Sequence, residues 1–240
     1  MRSLELAKRN FKEVWRDPLS LGITIGLPVL LLLVLQAFGK FDVFFSPTVL
    51  APGIVLFGFV MLMFSAAMTL SRDRETALFA RLLTAPVRAS GFVSAFSLPY
   101  LPVAIFQGML LFGIGLFLGL KVEGSVLLVV LILLVTAIFY IGLGMILGAV
   151  LPLAPLSGAY AVILLLTIFG GAWMDLNAIG GVFQSVGNAL PFAHALDATR
   201  DVMLNGAGFG VVATDVYWVL GYTAVTVALA LFLFRRKMVE

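Results

Sequence analysis

Six long apolar segments constrain this chain more than any other feature of its sequence. They cover approximately residues 19–38, 50–71, 91–120, 125–150, 156–174 and 215–234. A helix of about 20 apolar residues crosses a hydrocarbon core of ~30 Å, so each segment is long enough to span a membrane. The chain is 62% hydrophobic, whereas soluble domains are roughly 45–50% apolar. The sequence therefore predicts an all-α integral membrane protein, with six transmembrane helices in one domain over residues 1–240.

Three further segments are helical in pattern but too short or too polar to cross a bilayer. Residues 1–18 place apolar and basic side chains on different faces, which predicts an amphipathic helix at the membrane interface. Residues 72–88 are a charged interruption with helical apolar spacing, which should end near Pro86. Residues 175–214 contain two apolar pieces, 178–190 and 192–204, on either side of Pro191. Their length predicts a re-entrant or interfacial helical hairpin.

The basic residues are distributed unevenly between the two ends of the six spans. Twelve of the fifteen Lys and Arg residues lie on the side that carries both termini and residues 72–88. Only Lys40, Lys121 and Arg200 lie on the other side. Lys and Arg near span ends accumulate on the cytoplasmic side. We therefore expect a multi-pass protein of the cytoplasmic (inner) cell membrane, with cytoplasmic termini and an external hairpin.

The predicted spans contain almost no ionisable residues. This argues against ion-coupled transport, because such carriers keep ionisable groups inside the membrane. Prolines at 99 and 102 predict that the first turns of the third span form a separate, bent piece. Close helix contact is expected at glycine pairs such as Gly144 and Gly148. The main uncharged polar groups are expected to link helices by hydrogen bonds: Gln36, Gln107, Thr136, Tyr140 and Thr167.

The sequence contains no pattern that predicts catalysis. Gly39-Lys40 lacks the glycine-rich loop of a nucleotide site, and the chain has no cysteine and a single histidine, His194. We therefore predict no catalytic residue, no metal ion and no cofactor on this chain, and no nucleic-acid partner. An intramembrane hydrolase is disfavoured for the same reasons.

Two motifs resemble the membrane subunit of type-2 ABC exporters, a family that includes drug, polysaccharide and lipid exporters. The first is Arg72-Asp73-Arg74-Glu75 followed by Arg81-Leu82-Leu83-Thr84-Ala85-Pro86, and the second is Leu190-Pro191-Phe192 with His194 and Arg200. The order of the predicted elements extends the resemblance over essentially the whole chain. Two departures are Asp73, where glutamate is commoner, and Ala77, where glycine is frequent.

The resemblance implies a half-transporter. Two membrane subunits, identical or paralogous, would pair with two copies of a separate cytoplasmic ATPase that binds ATP and Mg. Residues 72–88 would be the coupling helix that sits in a groove of the ATPase. Its candidate coupling residues are Arg72, Asp73, Arg74, Glu75, Leu78, Phe79, Arg81, Leu82, Leu83, Thr84 and Pro86.

The resemblance also implies that substrate passes between the two subunits, along spans two and five, with the external hairpin as a gate. The candidate pathway residues are Phe57, Met61, Phe64, Met68, Phe169, Trp173 and Met174; for those in span two, packing against lipid or neighbouring helices is the alternative. The expected function is ATP-driven efflux of a hydrophobic or amphipathic small molecule, drug-like or lipid. Export of a lipid-linked glycan, and a passive pore or membrane scaffold, are the alternatives. Membrane lipids are expected partners in each case.

Overall fold

The computed structural model describes residues 2–41, 43–76, 89–173 and 180–239, and every regular element within these ranges is a helix. The α-helices are α1 (Arg2–Trp15), α2 (Pro18–Leu35), α3 (Pro47–Arg74), α4 (Ala89–Ser97), α5 (Tyr100–Phe117), α6 (Val126–Val150), α7 (Leu153–Thr167), α8 (Gly181–Asn188), α9 (Pro191–Asn205) and α10 (Phe209–Val239). Two 3-10 helices, Gln36–Lys40 and Val43–Phe45, connect α2 to α3. A π-helical segment, Ile168–Ala172, continues α7.

Six helical segments among the described residues are long and apolar enough to cross a membrane. They are Pro18–Lys40, Pro47–Arg74, Ser90–Phe117, Val126–Val150, Leu153–Ala172 and Phe209–Arg236. The predicted all-α membrane fold with six transmembrane helices is therefore confirmed. The third segment is interrupted at Leu98 and Pro99, between α4 and α5, which is the bend that its prolines predict.

Helix α3 is the centre of the bundle: 78% of its most apolar window is buried, against 17% for the first and fifth spans. Its most extensive neighbour is α6. An added Cβ at Gly144 or Gly148 would lie 2.5 or 2.6 Å from the carbonyl oxygens of Met63 and Ala67 in α3. Only glycine allows the two backbones to approach so closely, as the sequence predicts for this pair. The outward faces of α2 and α7 remain exposed and apolar.

The bundle has two chemically different ends. The basic end carries α1, the last turn of α3, the junction between α6 and α7, and the C-terminal part of α10. The hairpin end carries α8 and α9, which form the predicted helical hairpin before the last span. There the backbone N–H of Glu123 donates to the carbonyl of Met203 at 2.9 Å, and that of Lys121 donates to Oγ1 of Thr48 at 3.0 Å. These two bonds join the turn before α6 to α9 of the hairpin and to the first turn of α3.

Most span boundaries shift by a few residues from the prediction, and two of these shifts have a structural cause. The second span continues to Arg74 instead of ending at residue 71, because partners elsewhere in the fold neutralise or bind its last polar side chains. The last helix begins at Phe209 instead of 215, directly after the left-handed Gly206 that ends α9. Since glycine adopts positive φ without steric cost, α9 can stop and α10 can start within three residues.

The intramembrane polar residues link helices in most of the described cases. The amide of Gln107 in α5 donates to the carbonyl of Thr24 in α2 at 3.3 Å, and the hydroxyls of Tyr140 and Thr167 join α6 to α7 at 2.9 Å. Among the described residues, Gln36 shows no side-chain hydrogen bond to another helix, and the prediction for Thr136 is wrong. Its hydroxyl donates to the carbonyl of Ile132 in its own helix at 2.8 Å, a local bond that removes the need for another helix.

Candidate coupling and transport site

The last turn of α3 is joined to the amphipathic helix α1 by an ion pair. Nη2 of Arg9 lies 3.1 Å from Oδ1 and 3.0 Å from Oδ2 of Asp73, and 3.1 Å from Oε2 of Glu13. The side chain of Asp73 is only 8% exposed, and that of Arg9 is 36% exposed. A charge-assisted bond to a nearly buried carboxylate is stronger than a surface pair. The two helices are therefore held together where α3 leaves the bundle.

The same turn is also bound to the end of α6. Nη1 of Arg74 donates to the carbonyl of Gly148 at 2.9 Å, and Oγ of Ser71 donates to the carbonyl of Leu151 at 3.0 Å. The last carbonyls of a helix have no partner within the helix, and a cation there is favoured by the helix dipole. Arg74 and Ser71 thus complete the C-terminal end of α6 and connect it to α3.

The structure separates the predicted coupling residues into two groups among those it describes. Asp73 and Arg74 are bonded within the bundle, whereas Arg72 and Glu75 are exposed. The hydroxyl of Thr76, which follows them, donates to the carbonyl of Asp73 at 2.6 Å. The other predicted members lie outside the described residues: Leu78, Phe79, Arg81, Leu82, Leu83, Thr84 and Pro86.

The predicted pathway residues fall at different depths along α3 and α7. Phe57 is buried, and its ring lies 5.1 Å from the ring of Trp173, centroid to centroid. Phe169 is 43% exposed on the outward face beyond α7. The phenol of Tyr160 donates to Sδ of Met61 at 3.3 Å, and its ring stands 4.5 Å from that of Phe64. Phe57 and Trp173 therefore contact each other. Met61 and Phe64 share Tyr160 of α7 as a neighbour.

The remaining pathway predictions concern Met68 and Met174. Met68 lines a cavity of about 210 Å³ bounded by α1, α2, α3 and α5, and Met61 and Phe64 line it as well. Met174 lies outside the described residues. The structure thus gathers three of the predicted side chains at one cavity, and that cavity includes residues next to the basic end.

The hairpin end is closed around Arg200 in α9. Nη1 of Arg200 donates to the carbonyl of Gly171 at 2.9 Å, Nη2 to that of Ala172 at 3.3 Å, and Nε to that of Val49 at 3.2 Å. Its guanidinium carbon also lies 5.5 Å from the centroid of the Phe44 ring. One side chain therefore joins the hairpin to the end of the fifth span, to the first turn of α3 and to the 3-10 helix before it.

The carbonyls that Arg200 binds are available because the fifth span departs from regular helix there. Gly171 has φ 99° and ψ 4°, a conformation that L side chains rarely adopt. An added Cβ at Gly53 would lie 2.1 Å from the carbonyl oxygen of Ala172, so α3 packs directly on this backbone. Arg200 is the only cation within residues 175–214. That isolation was the one signal in the sequence for a structural role, which the sequence analysis did not assign.

His194 provides a second contact between the hairpin and the last span. Its Nδ1 lies 2.7 Å from Oδ1 of Asp215, and its ring stacks on that of Trp218 with centroids 5.6 Å apart and planes 9° from parallel. His194 is therefore a hydrogen-bonded residue at the contact between two helices. The residue stabilises the junction of α9 with α10.

Asp197, three residues after His194 on α9, has a raised pKa. Its side chain reaches solvent, yet partial burial raises the pKa of this carboxyl above the usual 3.8, while the charge of Arg200 opposes the change. The carboxylates of Asp215 and Asp201 reinforce it. Ionisation of Asp197 is therefore less favourable in the folded protein than in an unfolded chain.

The six long apolar helices of the described residues define the class of the protein, a multi-pass membrane protein. A family model described as "ABC-2 type transporter" matches residues 3–204. The chain therefore belongs to the ABC-2 type transporter family, and the predicted type-2 ABC permease is confirmed.

A curated relative is similar over much of the same region. It is the "ABC transporter G family member 20" of Dictyostelium discoideum, 28% identical over 163 residues, which are 66% of this chain and 22% of the relative. The chain thus spans about a fifth of that relative's length. The similarity supports an ABC transporter permease, a domain type that is not itself catalytic.

Proposed function

We propose that this chain is the permease subunit of an ATP-driven exporter that moves a hydrophobic or amphipathic small molecule, drug-like or lipid, out of the cytoplasm or inner leaflet. A separate ATPase, present in two copies, would bind ATP and Mg and supply the energy. A second permease chain, identical or paralogous, would complete the pathway. Membership of the ABC-2 family supports the transport class.

The observation that carries this proposal is the bonding of the last turn of α3. The charged stretch begins within this turn, where Asp73 is joined to α1 and Arg74 to α6. A force applied by a partner to the stretch would thus act on three helices together. The exposed Arg72 and Glu75 remain at the surface as candidate contacts with the ATPase.

The difference between the two ends supports the direction of transport. The hairpin end is closed by the Phe57–Trp173 contact and by the bonds of Arg200. The cavity lined by Met61, Phe64 and Met68 extends to residues of α1 and to Arg72 at the basic end. With the basic end in the cytoplasm, as the Lys and Arg distribution predicts, this is the arrangement expected before substrate moves outward.

The test is purification of the tagged chain from its native membrane, followed by identification of any P-loop ATPase and measurement of ATP hydrolysis. We expect an ATPase in equal amount, and a loss of at least tenfold in its recovery or turnover when Glu75→Arg reverses an exposed contact. Glu5→Arg, an exposed reversal elsewhere at the basic end, is the matched control and should change neither. Absence of an ATPase, or equal behaviour of both variants, would refute the proposal. Substrate flux that persists in ATP-depleted vesicles would instead support a passive pore.

A further inference from the structure

The cavity near the basic end is lined by charged, hydroxyl and apolar side chains. It measures about 210 Å³; for comparison, an apolar protein cavity of ~150 Å³ can bind benzene. Three charged side chains border it, Glu13 from α1, Asp17 between α1 and α2, and Arg72 from α3. The cavity is therefore large enough for an organic group and is charged on one side.

Hydroxyl groups form a second part of the lining. Oγ1 of Thr24 lies 3.3 Å from Oγ of Ser65, and the phenol of Tyr100 donates to Oγ1 of Thr69 at 2.8 Å. All four residues line the cavity. They add uncharged polar groups to a wall that also carries charged and apolar side chains.

The remaining wall is apolar and deformable. Met61, Phe64 and Met68 are its largest contributions from α3, and methionine side chains adapt readily to the shape of an apolar ligand. A cavity lined by both charged and apolar side chains suits an amphiphile, which has a charged headgroup and a hydrocarbon part.

The charged side carries two anions and one cation, and this combination selects the headgroup. Hydrogen bonds from Ser20, together with the charge of Arg72, lower the pKa of Asp17 below its usual 3.8. Arg9 contacts one oxygen of Glu13, but a carboxylate offers two oxygens and about four lone-pair sites. Both carboxylates are thus able to accept bonds from a ligand ammonium group, and Arg72 is able to donate to a phosphate.

We propose that this cavity binds a phospholipid with a primary amine in its headgroup, taken from the leaflet at the basic end. The ammonium group bonds to Glu13 and Asp17, the phosphate bonds to Arg72, and the first part of an acyl chain lies against Met61, Phe64 and Met68. A choline headgroup lacks N–H donors, and a glycerol headgroup lacks the cation. The assignment rests on the proposed function in that it names a ligand for the cavity placed on the substrate pathway, but binding of the lipid requires neither the ATPase nor nucleotide.

The test measures binding of three short-chain lipids to the purified full chain in detergent by microscale thermophoresis. The probes are dioctanoyl phosphatidylethanolamine, phosphatidylcholine and phosphatidylglycerol. We expect the ethanolamine lipid to bind at least tenfold more tightly than the other two. The double variant Glu13→Gln, Asp17→Asn should lose at least tenfold in that affinity, and asparagine preserves the N-cap of α2. Glu5→Gln, on α1 but not among the cavity residues, should retain the preference.

A fourth probe, dodecylammonium, tests the phosphate contact, since it carries the amine without a phosphate. It should bind at least tenfold more weakly than the ethanolamine lipid, and Arg72→Gln should reduce that difference. Equal affinity for the three lipids, an unchanged preference in the double variant, or equally tight binding of dodecylammonium would each overturn the proposal. The assay contains no ATPase, so its failure is distinguishable from failure of the proposed transport function.

Discussion

Replacement of Arg200 by methionine is predicted to loosen the hairpin end of the bundle. The guanidinium donates to the carbonyls of Gly171, Ala172 and Val49 at 2.9, 3.3 and 3.2 Å, and it lies over the ring of Phe44. Methionine keeps most of the aliphatic length but no donor. The carbonyls of the π-helical segment would then lose their charged partner in a part of the chain where Gly171 and Ala172 are buried.

The size of the effect follows from these bonds. A hydrogen bond to a charged group contributes about 1.5–3 kcal/mol, and a buried polar group left without its partner costs a similar amount. Two of the three bonds are long and count at or below the lower end of that range, so together we expect a loss of about 3–5 kcal/mol in the free energy of unfolding. At ~2–4 °C per kcal/mol for a chain of this size, the melting temperature should fall by roughly 6–20 °C.

The assay is thermal unfolding of the purified chain in detergent, followed by circular dichroism. Lys121→Met is the matched control, because Lys121 is an exposed cation at the same end whose observed bond to Thr48 uses its backbone N–H. Arg200→Lys should show an intermediate loss, since an ammonium group cannot reproduce the planar fork of donors. A melting temperature for Arg200→Met within 2 °C or so of the control would refute this account of the hairpin end.

Three other predictions concern packing, ionisation and topology. Gly53→Ala should destabilise the protein by about 1–3 kcal/mol in thermal unfolding, because its Cβ would meet a backbone carbonyl at 2.1 Å, whereas Gly22→Ala meets nothing within 4 Å and should be close to neutral. Asp197→Asn should raise the melting temperature near pH 7, because the raised pKa makes ionisation of Asp197 unfavourable in the folded protein. This destabilisation develops as pH rises through the raised pKa of Asp197 and is absent below the unfolded value, so the gain from Asp197→Asn should shrink as pH falls toward 3.8. Since the natural chain has no cysteine, a single cysteine at Lys121 should react with an impermeant maleimide in intact cells, and one at Lys8 only after lysis.

Each of these has a contradicting result. Equal melting temperatures for Gly53→Ala and Gly22→Ala would mean that α3 and the π-helical segment are not packed as described. A gain for Asp197→Asn that grows toward low pH would reverse the sign of the ionisation argument. Labelling at Lys8 in intact cells, with protection at Lys121, would invert the topology predicted from the basic residues.

The six spans could be predicted from sequence because length and hydrophobicity alone decide whether a helix crosses a bilayer. The same holds for the break before Tyr100, where proline chemistry is local, and for Gly144, where small size is the signal for close packing. These features depend on neighbouring residues or on composition. They need no knowledge of which distant segments meet.

The errors have the opposite cause. The end of α3 was predicted too early because Asp73 finds Arg9, a partner 64 positions away in sequence, inside the fold. The contact between Phe57 and Trp173 is a gap of the same kind: the family resemblance places both on the pathway, and only the tertiary structure shows that they contact each other. Likewise, Arg200 has its role because two distant carbonyl-bearing segments converge on it. Contacts between remote segments carry no signature in a single sequence.

The most direct test of the central claim, that the stretch after α3 binds an ATPase, is site-specific crosslinking. A benzophenone maleimide is attached to the single cysteine of Arg81→Cys and irradiated in native membranes, and the crosslinked protein is identified by mass spectrometry. Arg235→Cys, an exposed position at the same end of the bundle, is the control. The account predicts that a P-loop ATPase is captured from position 81 and at least tenfold less from position 235. Capture of no ATPase from position 81, or equal capture from both positions, would contradict it.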